Sequence, residues 1–218
     1  MNTSGPIART RVKICGITCP EDGLLAADFG ADAIGLVFVA ASPRAVSPAR
    51  AAEVVAALPP FITRVGLFVD AAAAEVEAVL GRVAVDLLQF HGDESAAYCR
   101  QFGRPYLKAV SMRPGRDVAA YMTEYPDAAG FLLDAYHPAV AGGSGEGFDW
   151  ERVPAQRPRA IVLAGGLHAG NVADAVRRVR PFGVDVSSGV EASKGIKDAT
   201  KMAEFIRGVQ RADHESGF

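Results

Sequence analysis

Cysteine is scarce: Cys15, Cys19 and Cys99 are the only three in 218 residues, and their one close spacing is a single C-x3-C. An odd set of this kind excludes a disulfide framework and a cysteine-rich zinc site, and it points to a reducing compartment. Charge of one sign is missing too. With 25 acidic residues against 23 basic ones, the whole-chain field gives no reason to expect a nucleic-acid or polyanion partner. No window reaches the ~20 apolar residues of a spanning helix, and Met1 to Thr10 holds no apolar export core. No membrane partner is therefore expected, and the cytoplasm is the expected location. The four histidines, His91, His137, His168 and His214, show no metal-ligand spacing, so no metal is implied. What the chain has is 50% hydrophobic and 22% charged residues, a balance that builds a core and excludes disorder, collagen and a disulfide mini-scaffold.

Short β-branched apolar runs recur, each followed by a turn and an Ala-rich segment with helical spacing, which is the α/β signature. Strands are expected over Val12–Cys15, Ala33–Phe38, Thr63–Val69, Val85–Phe90, Tyr106–Val110, Gly130–Leu133, Ala160–Leu163 and Gly183–Val186. They read as continuous apolar stretches, as strands do when both faces of a parallel sheet are covered. Thr18 with Glu21 has capping-box spacing, Ser47-Pro48 is a cap with proline at the first helical position, and Asp70 and Asn171 are candidate caps. Eight units in 218 residues average about 27 each, which predicts a compact (β/α)8 barrel, with an open doubly wound sheet as runner-up. No linker divides the chain. One domain over residues 1–218 is expected, with the barrel over about 11–210 and Arg211 to Phe218 as a frayed tail.

Parallel α/β architectures bind ligands at the carboxyl ends of their strands, so the residues there carry the functional reading. Cys15 ends the first strand and is either a buried small hydrophobe or a thiolate acting as base or nucleophile. Asp134 after the sixth strand is either a loop cap or a carboxyl aimed into the mouth. Gly165-Gly166 followed by Asn171, together with Ser187-Ser188-Gly189, matches the adjacent loops that hold a phosphate in such barrels, or else the glycines merely permit tight turns. Arg44 is a solvated charge or a fork for a carboxylate. The run Gly142 to Gly147 lacks a following Lys-[ST] and breaks a nucleotide-loop pattern at Phe148, leaving a mobile lid or a plain linker.

Seven ordered segments then carry a resemblance: Lys13-Ile14-Cys15-Gly16-Ile17-Thr18, Ser42-Pro43-Arg44, Leu88-Gln89-Phe90-His91-Gly92, Leu133-Asp134, Gly142-Gly143-Ser144-Gly145 with Phe148-Asp149-Trp150, Leu163-Ala164-Gly165-Gly166-Leu167, and Asp185-Val186-Ser187-Ser188-Gly189-Val190-Glu191. From Lys13 to about Phe205 the chain resembles the phosphoribosylanthranilate isomerases of tryptophan biosynthesis. The resemblance implies a single-domain TIM barrel that converts N-(5-phosphoribosyl)anthranilate to the 1-deoxyribulose 5-phosphate by an Amadori rearrangement, with no cofactor or metal. It further implies Cys15 as general base, Asp134 as general acid and Arg44 on the anthranilate carboxylate. Gly165, Gly166, Ser187, Ser188 and Gly189 would surround the phosphate, and Gln89, His91 and Asp185 would line the site. The partner is then a small-molecule substrate, and the chain is expected to be a monomer or a homodimer. Two segments depart from the family pattern: His168-Ala169-Gly170 lacks a proline before the helix, and Ser193-Lys194-Gly195 adds a charge after the eighth strand. Two other readings compete. One is a related phosphosugar isomerase or epimerase, which would carry an aspartate where Cys15 stands; the other is a phosphate-ligand-binding barrel without catalysis, which would lack Cys15 or Asp134.

Overall fold

The computed structural model describes residues 9–135 and 148–215. Eight strands form the barrel: β1 (Arg11–Cys15), β2 (Ala33–Val37), β3 (Thr63–Phe68), β4 (Leu87–Phe90), β5 (Tyr106–Ser111), β6 (Gly130–Asp134), β7 (Ala160–Leu163) and β8 (Gly183–Val186). Each pairs in parallel with the next, and β8 pairs with β1, so the sheet closes. The open-sheet runner-up is thereby excluded. All eight expected strands are present with ends shifted by at most two residues. The helices α1 (Pro20–Asp28), α2 (Pro48–Ala57), α3 (Ala73–Leu80), α4 (Ala96–Arg100), α5 (Val118–Thr123) and α6 (Val172–Val179) alternate with them, and α7 (Ala199–Glu215) closes the chain. Between β6 and β7 the described residues hold one 3-10 turn, Trp150–Arg152.

Side-chain alternation splits each strand between two cores. On β1, Val12 and Ile14 join the large cluster between sheet and helices, while Cys15 faces the barrel interior with Val37 and Leu67. A second interior cluster, Leu107, Ala109, Leu132, Val162 and Ala164, fills the opposite wall. Among the described residues no helix is long and apolar enough to cross a membrane.

Several helix signals behave differently from their sequence reading. Ser47 caps α2 as expected, accepting from the Arg50 N–H at 3.2 Å. Thr18 does not cap α1: Pro20 takes the first helical position, Cys19 becomes the cap residue, and the Thr18 hydroxyl donates to the Gly195 carbonyl at 2.7 Å. Asp70 lies two residues before the cap of α3 and instead accepts from the Asp93 N–H at 2.7 Å, tying the loop after β3 to the loop after β4. The expected frayed tail is a helix through Glu215. Ala212 continues the buried Met202, Phe205, Val209 stripe, and Asp213 accepts from the Thr10 N–H and hydroxyl at 2.9 and 2.7 Å.

Candidate functional site

The carboxyl ends of the strands and the loops that follow them hold every expected site residue; Gly142 to Gly147 lie outside the described residues. Cys15 ends β1 and Asp134 ends β6, and both are buried. The ends of β7 and β8 lie between them on the shorter way round the ring. A cavity of about 390 Å³ opens at the other end of the barrel, beside Arg11, Phe61 and Phe182, and none of the expected site residues lines it.

Around Asp134 the contacts form a chain. His91 Nε2 lies 3.0 Å from Asp134 Oδ2, and His91 Nδ1 lies 3.0 Å from Gln89 Nε2. Gln89 and His91 are two residues apart on and just beyond β4, so both project toward the mouth, and Gln89 is wholly buried. Its Oε1 has no hydrogen-bond partner among the described residues.

Around Cys15 the contacts are ionic. Lys13 Nζ donates to Asp185 Oδ1 at 2.8 Å, both side chains being buried. Burial opposes the Lys13 ammonium, yet the Asp185 carboxylate and Cys15 outweigh it and raise its pKa. Burial pushes the Cys15 thiol above its ordinary value, with the Lys13 ammonium pulling the other way. Arg44, expected as a carboxylate fork, grips Glu191 with Nε at 2.7 Å and Nη2 at 2.9 Å; its Nη1 makes no hydrogen bond among the described residues. Glu191 also accepts from Lys197 Nζ at 3.1 Å. Burial alone would raise the Glu191 carboxyl, and these two cations bring it below its ordinary value. For Lys197 the balance is reversed, and burial leaves its ammonium lowered.

The two glycine-containing loops interlock. Gly165 and Gly166 both take left-handed backbone, with φ of 77° and 67°. Asn171 does not cap α6 through its side chain; its Nδ2 donates to the Gly166 carbonyl and its Oδ1 accepts from the His168 N–H, each at 2.9 Å. That closes the loop without the proline expected there. A Cβ on Gly189 would stand only 2.0 Å from the Leu167 carbonyl oxygen, so glycine is what lets the turn after β8 press against the loop after β7. The N–H groups of Gly166, Ser187 and Ser188 meet no acceptor among the described residues. Buried or half-buried amides are normally paired, so a cluster of free ones at a helix start suits an anion.

Sequence reasoning missed Glu191 as a partner of Arg44, and it missed Lys197 altogether. It flagged Lys194 as the added charge after β8, but Lys194 is exposed. The hairpin of β9 (Glu191–Ser193) and β10 (Ile196–Lys197) turns Lys197 inward, where Nζ also donates to the Ser187 carbonyl at 3.2 Å.

Residues 12–208 match the family model described as N-(5'-phosphoribosyl)anthranilate (PRA) isomerase. The chain belongs to the PRA isomerase family. Among curated PRA isomerases, that of Azotobacter vinelandii is 57% identical over 206 residues, which cover 94% of this chain and all of the relative. Among solved structures, the PRA isomerase of Thermotoga maritima is 40% identical with a TM-score of 0.85, covering 93% of this chain and 99% of that one. Another, at 38% identity and a TM-score of 0.79 with the same coverage, is a PRA isomerase in complex with reduced 1-(o-carboxyphenylamino)-1-deoxyribulose 5-phosphate.

Proposed function

We propose that this PRA isomerase family member converts N-(5'-phosphoribosyl)anthranilate to 1-(2-carboxyphenylamino)-1-deoxyribulose 5-phosphate, the Amadori step of tryptophan biosynthesis, with Cys15 as general base and Asp134 as general acid. The observation that carries this reading is a juxtaposition. A buried thiol on β1 and a buried carboxyl on β6 flank two loops with unengaged backbone N–H groups, at one end of a barrel closed β8 to β1.

In this reading the phosphate lies against Gly165, Gly166, Ser187, Ser188 and Gly189 and supplies binding energy remote from the reacting carbons. The free Nη1 of Arg44 takes the anthranilate carboxylate, while Glu191 holds the rest of the guanidinium in place. Asp134 gives a proton to the ribose ring oxygen. The C1–O bond breaks, and the anilino nitrogen lone pair forms the C1=N iminium. Ionised Cys15 then takes the C2 proton, and the C2–H electrons move into the C1–C2 bond as the iminium is neutralised. The enolamine so formed tautomerises to the ketone. Asp134 has lost one proton and Cys15 has gained one, and neither group becomes covalent.

The Gln89–His91–Asp134 chain suits the acid. With the Gln89 amide nitrogen on Nδ1, the imidazole carries its proton on Nε2 and donates to an ionised Asp134. With that amide turned over, Oε1, which has no partner among the described residues, accepts from Nδ1–H, and Nε2 accepts from a protonated Asp134. The two amide orientations thus match the acid before and after it has given its proton. Asp185 in this reading serves the site through Lys13. The three free cysteines suit the cytoplasm, no cofactor or metal enters the scheme, and the chain works as a monomer or a homodimer.

The test is to supply freshly generated phosphoribosylanthranilate to the purified chain with EDTA present and follow loss of the aminoaldose and appearance of the aminoketose by chromatography. Rapid conversion is expected, and Cys15→Ala and Asp134→Asn should each lower kcat by about a hundredfold to ten-thousandfold, the range of general acid–base catalysis. No conversion by the folded chain overturns the reading. Full activity in either variant removes that residue from its role.

A further inference from the structure

We infer that Lys13 and Gly35 are positioning residues for Cys15: the Lys13 ammonium, fastened by Asp185, is the counter-ion that the ionised Cys15 sulfur meets inside the barrel, across the bare backbone of Gly35. The inference rests on Cys15 being the base and adds the groups that allow a sulfur in this setting to ionise.

Strand register makes the arrangement. Residues two apart on a strand point to the same side, so Lys13 and Cys15 both face inward from β1. Across the ladder Cys15 pairs with Gly35 of β2, and Lys13 pairs with Asp185 of β8. A Cβ built on Gly35 would stand 2.7 Å from Cys15 Sγ and 3.1 Å from Lys13 Nζ. Both atoms therefore rest on the same uncovered patch of backbone, and these distances hold sulfur and ammonium to within about 6 Å of each other, a range where opposite charges favour ionisation. Any larger residue at position 35 would occupy the place where they meet.

The same geometry meets a chemical need. A thiolate with so little water around it is costly unless a cation faces it. The charged groups bearing on Cys15 are Lys13 on its own strand, Asp185 on β8, Lys197 at the end of the hairpin and Arg44 after β2. Arg44 and Lys197 already share Glu191, whereas the Lys13 nitrogen stands at the Gly35 patch together with the sulfur. Asp185 keeps Lys13 charged but opposes the thiolate directly. This opposition yields a signature of sign that a merely structural ion pair would not produce.

The experiment titrates Cys15 through the ultraviolet absorbance of its thiolate, as a difference from Cys15→Ala, alongside kcat/KM between about pH 6 and pH 10. Lys13→Met should move the Cys15 midpoint upward by about one unit or more, so that kcat/KM at neutral pH falls roughly tenfold or more and recovers as the pH rises. Asp185→Asn should move the midpoint the other way. Lys13→Arg should restore most of the wild-type titration. If Lys13→Met leaves Asp185 too exposed to fold, Lys13→Met with Asp185→Asn removes both charges and should still titrate high. Gly35→Ala leaves every charge in place and should also shift the midpoint upward. Unchanged Cys15 midpoints, with activity lost by one factor at every pH, overturn the inference. Activity surviving in Cys15→Ala would instead overturn the assignment of Cys15 as base, so the two failures are distinct.

Discussion

In the proposed mechanism the two flanks of the barrel mouth control protons by different means. On the β8–β1–β2 side every charge near Cys15 has a fixed counter-charge: Lys13 with Asp185, Arg44 with Glu191, Lys197 with Glu191. On the β4–β6 side Asp134 meets an imidazole, and the imidazole meets an amide. The first flank sets how readily one group ionises through the field of buried ions, which salt screens poorly. The second sets where a single proton sits through donor and acceptor identity alone. A base that must lose its proton gains from a field, whereas an acid that must hold and then release one gains from a chain that can be turned over.

The neutral flank nevertheless leans on a buried ion pair one layer away. Lys108 of β5 and Glu94 are fully or almost fully buried, 2.9 Å apart, and Lys108 also donates to the carbonyls of Phe90 and Gly92 on either side of His91. Glu94 accepts from the N–H groups of Asp70 and Gly92. The largest expected effect is therefore on stability. Lys108→Met strands a buried carboxylate and should cost about 3–5 kcal/mol in urea unfolding. The double change Lys108→Met with Glu94→Gln should recover part of this. Wild-type stability in Lys108→Met would mean that the acid flank needs no ionic support, and the contrast between the flanks would be absolute.

The charged flank predicts the next largest effect. Burial lifts the Cys15 thiol above its ordinary value, with Lys13 opposing, and in the proposed mechanism Cys15 acts as base in its ionised form. The active fraction thus grows with pH below that midpoint, and kcat/KM of the wild-type enzyme should rise by close to tenfold per pH unit on the limb that Cys15 controls. A flat profile from neutral to alkaline pH would mean that the thiol is already ionised, contrary to the balance of burial and charge found here.

Legibility in the sequence followed locality. The strands and the residues at their ends could be read because each lies in one β-branched run followed by its own turn, and Cys15, Asp134 and the two phosphate-loop candidates sit at such ends. Partnerships could not be read. Arg44 and Glu191 are 147 residues apart and meet only because β8 closes on β1. Gly35 inside an apolar run carried no signal of its own in the sequence, because its meaning lies in what its neighbours place over it. The last turn of α7 was a different kind of miss: Ala212 continues the helical spacing of Phe205 and Val209, but the polar residues around it read as a frayed tail.

The smallest expected effect tests the neutral chain directly. Gln89→Met keeps the length and burial of the side chain while removing both polar atoms of its amide, so the His91 tautomer is no longer set from Nδ1. A hydrogen bond of this kind is worth about 1 kcal/mol, which corresponds to a roughly fivefold loss of kcat, with KM nearly unchanged because Gln89 in this reading touches the acid's support and not the substrate. The Cys15 midpoint should stay where it is, since no charge has been altered on that flank. A rise in KM with kcat intact would make Gln89 a substrate contact, and the proton on Asp134 would then have to be governed by His91 alone.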